Sequence, residues 1–113
     1  MTLSELAARL DLKVFTTGVS LDKPILGGYA SDLLSDVIGH SHKSDVWLTM
    51  QVHPNIIAVA VLKDLAGIVL VNGREPAPET LEQAAREKVA ILGARTGTFE
   101  LAGRLYGLGV KGS

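Results

Sequence analysis

The sequence predicts an α/β fold: a single three-layer domain with a mostly parallel sheet of alternating strands and helices. Residues 46–74 have the pattern of a buried strand, a polar corner, an apolar helix and a second buried strand that ends in Asn-Gly-Arg. That order is typical of a right-handed βαβ crossover between parallel strands. Strand-like and helix-like segments also alternate from Ile25 to Leu105, which is the pattern of a doubly wound sheet.

The composition favours one core and self-association. A chain of 113 residues is long enough for a single core. Hydrophobic residues make up 47% of the chain but aromatic residues only 4%, so aliphatic side chains fill that core. The net charge of −1 leaves little repulsion between copies, and we expect a homodimer. We expect one domain over residues 1–106 and a flexible, glycine-rich C-terminal tail over residues 107–113.

Several classes of protein are excluded or disfavoured by residue content. The chain has no cysteine, which excludes disulfides, thiolate nucleophiles and cysteine-bound metal clusters within it. Lys and Arg are not concentrated in any segment, so nucleic acid is not an expected partner. No apolar run approaches the roughly 20 residues of a membrane span, and the first residues do not form a secretory signal. We expect a cytoplasmic protein with no membrane contact and no cofactor.

Local signals assign the elements in order. Thr2 caps the first helix with Glu5 in a capping box, and Ser31 or Asp32 caps the second helix. Pro54 marks the first residue of an apolar helix that reaches Leu62. The predicted strands are Lys13–Thr17, Ile25–Ala30, Val46–Met50, Gly67–Val71 and Val89–Leu92. The other predicted helices are Leu33–Ile38, a helix from Pro78 through Glu87, and Phe99–Leu105.

Three segments in this order resemble the DRTGG domain family. They are the opening TLSELAARL with the turn LDKPILGGYASDLLSDV, the central WLTMQVHPNIIAVAVLKDLAGIVLVNGREP, and the closing TFELAGRLYGLG. Asp22-Lys23 stands where family members commonly carry Asp-Arg. The resemblance implies a small regulatory or dimerising module, found beside CBS-domain pyrophosphatases and near iron-only hydrogenases, and similar to the N-terminal domain of HPr kinase/phosphorylase.

Kinase activity is not expected. A P-loop kinase needs a G-x-x-x-x-G-K-[ST] loop whose amides and lysine hold the phosphates of ATP. Lys43-Ser44 lacks the required glycines. A metal site built from His40 and His42 with His53 or Asp45 is also disfavoured, because the polar loop offers no second ligand cluster. We therefore assign no metal ligand and no catalytic residue.

The candidate ligand-binding residues follow the predicted parallel strands. Helix N-termini and the carboxyl ends of such strands favour anions. Each candidate also has a structural explanation: a helix cap for Ser31, His53 or Asn55, a backbone contact for Gln51, a turn for Thr96, and a surface ion pair for Arg74. The candidates are Ser31, Gln51, His53, Asn55, Asn72, Gly73, Arg74 and Thr96.

Three functional hypotheses follow. The first is a non-catalytic regulatory or accessory module that is homodimeric and acts on a partner enzyme, with a hydrogenase-related partner implied by the resemblance. In this hypothesis a small anionic ligand such as a nucleotide is bound at the strand ends. The second is a small enzyme with His53 as acid–base and Arg74 as anion clamp. The third is a structural dimer with an empty strand edge.

Overall fold

The computed structural model describes residues 1–112, in which five helices and five strands form one layered unit. The helices are α1 (Leu3–Leu10), α2 (Leu34–His40), α3 (Asn55–Lys63), α4 (Pro78–Glu87) and α5 (Thr98–Gly107). The strands are β1 (Lys13–Val14), β2 (Gly27–Ala30), β3 (Asp45–Thr49), β4 (Gly67–Leu70) and β5 (Ile91–Gly93). Within residues 1–112, no helix has both the length and the hydropathy that a bilayer span requires.

The five strands form one sheet in the order β1-β5-β4-β3-β2. Strands β2 to β5 are parallel to their neighbours, and only β1 is antiparallel to its neighbour, β5. The prediction of a mostly parallel sheet is therefore confirmed. Parallel neighbours require crossover connections, and α2, α3 and α4 supply them in turn.

Helices cover both faces of the sheet, as the three-layer prediction requires. Helices α1 and α5 pack on one face, and their buried leucines share a core with Val46, Leu48 and Val69. Helices α2, α3 and α4 pack on the other face around Trp47 and Ile68. Successive strand residues thus contribute to opposite cores, so the central strands β3 and β4 are buried along their whole length. Trp47 is fully buried within the chain, and it is a core residue.

The predicted cap of the second helix is wrong. Helix α2 begins at Leu34 with Leu33 as its N-cap, and no side chain caps it. The Ser31 hydroxyl instead accepts a hydrogen bond from the Leu33 amide. The Asp32 carboxylate accepts from the end of β3, where the Met50 amide donates at 2.7 Å. A contact between the ends of two strands leaves no local signal in the sequence. Ser and Asp side chains can either cap a helix or bind other backbone amides, so their presence alone does not identify a cap.

The segment after α5 returns to the edge of the sheet. Val110 packs against the core on the α1–α5 side. The Gly28 amide of β2 donates a 2.9 Å hydrogen bond to the Lys111 carbonyl, and the Lys111 ammonium lies 3.7 Å from the centroid of the Tyr106 ring. The domain limits and the flexibility of residues 107–113 stay predictions, and Ser113 lies outside the described residues.

A close approach between α1 and the sheet makes Gly67 sensitive to substitution. A Cβ atom at Gly67 would lie 2.8 Å from Leu3 Cδ1 and 3.3 Å from the Ala90 carbonyl. We expect Gly67→Ala to lower the free energy of unfolding by about 1–3 kcal/mol, because Leu3 must leave its packed position. Urea denaturation measures this difference.

Gly103 provides the matched control. It lies inside α5 with nothing within 4 Å of a built Cβ, so Gly103→Ala should raise stability by about 0.5–1 kcal/mol through helix propensity. Equal denaturation midpoints for Gly67→Ala and the wild type would contradict the close-packing account.

Candidate functional site

The carboxyl ends of β2, β3, β4 and β5 meet at one edge of the sheet because these strands are parallel. The segments that follow them carry all the residues predicted as ligand-binding, from Ser31 after β2 to Thr96 after β5. Open α/β sheets bind ligands in the crevice outside these ends. The side chains nevertheless divide into three groups with different surroundings.

The first group is the turn after β4. Asn72 and Gly73 both have left-handed backbone angles, with φ of 60° and 68°. The Asn72 amide donates to the Thr96 carbonyl at 2.8 Å, and the Gly73 amide donates to the Ala94 carbonyl at 2.8 Å. These bonds tie the turn to the segment after β5. The turn therefore holds the backbone of the exposed Arg74 beside Arg95.

This turn forms one wall of a cleft of about 470 Å³. A volume of this size lies in the range of small-molecule sites, roughly 300–1,000 Å³. The cleft bridges the turn after β4, the end of β5 and the start of β1. Its charged and aromatic lining residues are Asp11, Lys13, Phe15, Arg74, Glu75 and Arg95, and the two predicted residues among its lining are Gly73 and Arg74.

Three cations and two carboxylates line the cleft. Within residues 1–112, Lys13, Arg74 and Arg95 take part in none of the ion pairs shorter than 4.0 Å, which join His40 to Asp36, Lys43 to Asp64 and Arg104 to Glu100. Their charges are therefore not neutralised by direct contacts there. Guanidinium groups without a carboxylate partner favour phosphate or carboxylate ligands, which accept two parallel hydrogen bonds.

Phe15 gives the cleft an aromatic wall. The Phe15 ring lies directly over Gly93, where a built Cβ would be only 2.5 Å from ring atom Cε2. The Lys13 ammonium lies 5.0 Å from the centroid of the same ring, which is cation–π distance. Glycine at position 93 thus lets the ring approach the strand end closely.

Sequence reasoning missed Lys13, Phe15 and Arg95 as site residues. Lys13 is opposite Gly93 because β1 pairs antiparallel with β5, a contact between segments eighty residues apart in the chain. No local pattern reports such a pairing. Arg95 lies shortly after the predicted last strand, Val89–Leu92, as Arg74 does after the strand Gly67–Val71, and this shared position in a parallel sheet was the available signal.

The second group surrounds Asp32, which joins the ends of β2 and β3. Its carboxylate accepts hydrogen bonds from the Thr49 hydroxyl at 2.9 Å and from the Met50 amide. The Gln51 side-chain amide donates to the Asp32 carbonyl at 3.0 Å, and the Ser31 hydroxyl accepts from a backbone amide. Ser31 and Gln51 therefore make structural contacts within the chain.

The third group is the start of α3. His53 and Asn55 are exposed there, and neither lines the cleft or the cavities of about 170 and 180 Å³ elsewhere in the described residues. Thr96 is separate from them and lines a smaller cavity of about 180 Å³ that adjoins the cleft. His53 and Arg74 are therefore not brought into a common cavity, which the hypothesis of His53 as acid–base with an Arg74 clamp would require.

A hydrogen-bonded cluster of titratable groups lies between β2 and α2. The Tyr29 hydroxyl donates to the Asp36 carboxylate at 2.8 Å, and the His40 Nδ1 atom lies 3.1 Å from the same carboxylate. The hydrogen bond from Tyr29, followed by one from Ser31, lowers the pKa of Asp36, and the Asp36 hydrogen bond raises the pKa of Tyr29. Among residues 1–112, no group of three His, Asp or Glu side chains has a metal-binding arrangement.

Neither a protein-family model nor a curated protein sequence matches the chain. A solved structure does: the CBS and DRTGG domains of the regulatory region of a Clostridium perfringens pyrophosphatase, complexed with the activator diadenosine tetraphosphate. The TM-score is 0.71 at 11% identity, and the match covers 89% of this chain but 44% of that one. The fold is DRTGG-like. The predicted resemblance is confirmed for the fold, and this chain spans less than half of that structure.

The lowered pKa of Asp36 predicts a dependence of stability on pH. The folded-state pKa lies below the ordinary value of 3.8, so the unfolded chain takes up the proton first as the pH falls. The stabilisation is therefore present above about pH 4 and is lost as the pH falls through the folded-state pKa. We expect Asp36→Asn to be less stable than the wild type at neutral pH, with a difference that shrinks below about pH 4.

Urea denaturation from neutral pH down to about pH 2 measures this effect. Asp22→Asn is the matched control, because the Asp22 side chain lies exposed in a turn and accepts no hydrogen bond from the described residues. A difference for Asp36→Asn that stays constant with pH would show that the Tyr29–Asp36 contact does not carry the charge-dependent stabilisation.

Proposed function

We propose that this chain is a regulatory module that binds a small anionic ligand, with a nucleotide as the ligand class, in the cleft between β1, β5 and the turn after β4. The observation that carries the proposal is the convergence of Lys13, Arg74 and Arg95 on one cleft, without direct ion pairs among the described residues. The cleft lies at the ligand-binding edge of a parallel sheet.

The cleft chemistry fits a nucleotide in two respects. Arg74 and Arg95 offer planar donor groups to phosphate oxygens, and Lys13 adds a point charge beside them. The Phe15 ring lies in the same cleft and offers an aromatic face to a base, a contact worth about 1–3 kcal/mol in nucleic-acid complexes. The carboxylates of Asp11 and Glu75 would orient the ligand by repelling its anionic groups.

The cleft lining differs from the site of the alternative enzyme hypothesis. Within residues 1–112 it contains no histidine, serine, threonine or tyrosine, and its charged side chains are those of Asp11, Lys13, Arg74, Glu75 and Arg95. His53, the acid–base residue of the alternative enzyme hypothesis, lies outside the cleft at the start of α3. A site that binds without turnover suits a module that reports ligand concentration to a partner.

The structural neighbour supports the regulatory part of the proposal. That protein region is described as the regulatory region of a pyrophosphatase, and its complex contains an activator with four phosphates, diadenosine tetraphosphate. For this chain, a regulatory role and a nucleotide ligand are proposals that the shared fold makes reasonable. The identity of a partner enzyme, including a hydrogenase-related one, rests on the sequence resemblance, and the cytoplasmic location stays a prediction.

A homodimer is part of the same proposal. Helix α3 exposes Val61 and Leu62 by 48% and 67%, and Leu33 and Ile38 expose 65% and 40% of their surface at neighbouring α2. Since α2 and α3 pack together, these side chains offer an apolar surface that a second copy would cover. The mass of the chain in solution, measured by light scattering, tests this part.

Charge removal in the cleft tests the ligand-binding proposal. We expect AMP and ATP to bind the wild-type chain, and Arg74→Gln and Arg95→Gln each to weaken binding by about 10-fold, the loss of one charge-assisted contact of about 1.5 kcal/mol. Isothermal titration calorimetry measures the affinities, and salt should weaken them further.

Arg86→Gln is the matched control, because Arg86 is an exposed arginine in the last turn of α4 that lines none of the described cavities. It should bind both nucleotides like the wild type. Absence of binding at millimolar nucleotide, or an equal loss in all three variants, would contradict the proposal.

A further inference from the structure

The cleft adjoins a second cavity at the same edge of the sheet. This cavity, of about 180 Å³, lies on the α1–α5 side and is lined by Leu10, Thr96, Leu101 and Arg104. Cleft and cavity share four lining residues: Asp11, Leu12, Ala94 and Arg95. The two cavities therefore lie next to one another at the end of β5.

Cationic groups lie on both sides of the shared segment. Lys13 and Arg74 belong to the cleft alone, Arg104 belongs to the second cavity alone, and Arg95 lines both. The shared segment also carries the Asp11 carboxylate. An anionic group is attracted to the cations on either side and repelled beside Asp11, so we expect a ligand that fills both parts to place an uncharged unit next to this carboxylate.

The second cavity is smaller than the cleft and is lined by fewer charged side chains. Its guanidinium, Arg104, donates through Nε to the Glu100 carboxylate at 3.2 Å. This ion pair fixes one edge of the guanidinium, and both residues are about half exposed. The terminal NH₂ groups of Arg104 make no hydrogen bond with the described residues. The small volume, with Arg104 as the one arginine that the cavity does not share with the cleft, suits one phosphate rather than a base.

We infer that the ligand of this site carries two anionic groups, one held by Arg74 and Arg95 in the cleft and the second held by Arg104 in the adjoining cavity. This inference rests on the proposed function and adds a ligand class to it: a small bisphosphorylated compound whose phosphates are separated by a neutral unit, such as a nucleoside bisphosphate. The turn after β4 couples the two parts, because the Asn72 amide binds the carbonyl of Thr96, which lines the second cavity.

A pair of probes that differ by one phosphate tests the inference. Adenosine 3′,5′-bisphosphate should bind the wild-type chain about 10-fold more tightly than AMP, which corresponds to about one charge-assisted contact. Arg104→Gln should abolish this difference and leave AMP binding unchanged within about twofold. Arg74→Gln should weaken both probes, and Arg86→Gln should weaken neither.

Glu100→Gln provides a variant that should strengthen the binding of the bisphosphate, whereas Arg104→Gln should weaken it. The glutamine keeps an acceptor for Arg104 Nε and removes a negative charge next to the proposed phosphate. We expect it to bind the bisphosphate about two- to fivefold more tightly than the wild type, the scale of a surface charge pair, with AMP unaffected.

The outcomes separate this inference from the proposed function. If AMP binds in an Arg74-dependent manner but the second phosphate adds no affinity, or Arg104→Gln changes neither probe, the inference is overturned and the proposed function stands. If neither nucleotide binds at millimolar concentration, both are overturned. A bisphosphate preference that is lost in Arg104→Gln and enhanced in Glu100→Gln supports both.

Discussion

Parallel pairing of β2 to β5 is the constraint on which the rest of the structure depends. Each parallel neighbour requires a crossover helix, and those helices bury both faces of the sheet. The same pairing places all four carboxyl ends at one edge. Because a loop at that edge is not part of the ladder, polar and charged side chains collect there without cost to the core. The cleft beside β5 is a product of this geometry and of the one antiparallel strand, β1, that closes it.

The two sides of that edge differ in whether their polar side chains have hydrogen-bond partners within the chain. On the side of β2 and β3, Asp32 binds Thr49 and Met50, and the polar atoms of the loops satisfy one another. On the side of β4 and β5, hydrogen bonds between backbones hold the turn, which leaves the side chains of Arg74 and Arg95 outside the network. Binding capacity is therefore expected on the second side, where the cations of Arg74 and Arg95 form no ion pair with other residues in the range 1–112.

The fold could be predicted from the sequence because its signals are local. The apolar run of α3 and the largely apolar strands on either side of it identify a buried βαβ unit, and Pro78 marks the start of α4. Element ends were less accurate: β1 was predicted to reach Thr17 but ends at Val14. After this strand the Phe15 amide still bonds to Ile91, so extended backbone continues beyond the assigned strand.

The sequence could predict at which edge of the sheet the candidate site lies, but not which side chains line it. The order of the strands places Gly73, Arg74 and Thr96 near one another, but the contributions of Lys13 and Phe15 depend on a long-range antiparallel pairing that the sequence does not report. Nor does the sequence distinguish Gln51, whose amide is engaged by Asp32, from Arg74, whose guanidinium is not. That difference depends on which residues from other parts of the chain contact each side chain in the folded structure.

The most direct test of the central claim is a map of backbone amide chemical shifts, recorded by NMR as AMP is added to the wild-type chain. The account predicts that the largest changes occur at Lys13, Gly73, Arg74 and Arg95, around the end of β5. Changes centred on His53 and Asn55 at the start of α3, or no changes at all, would contradict it.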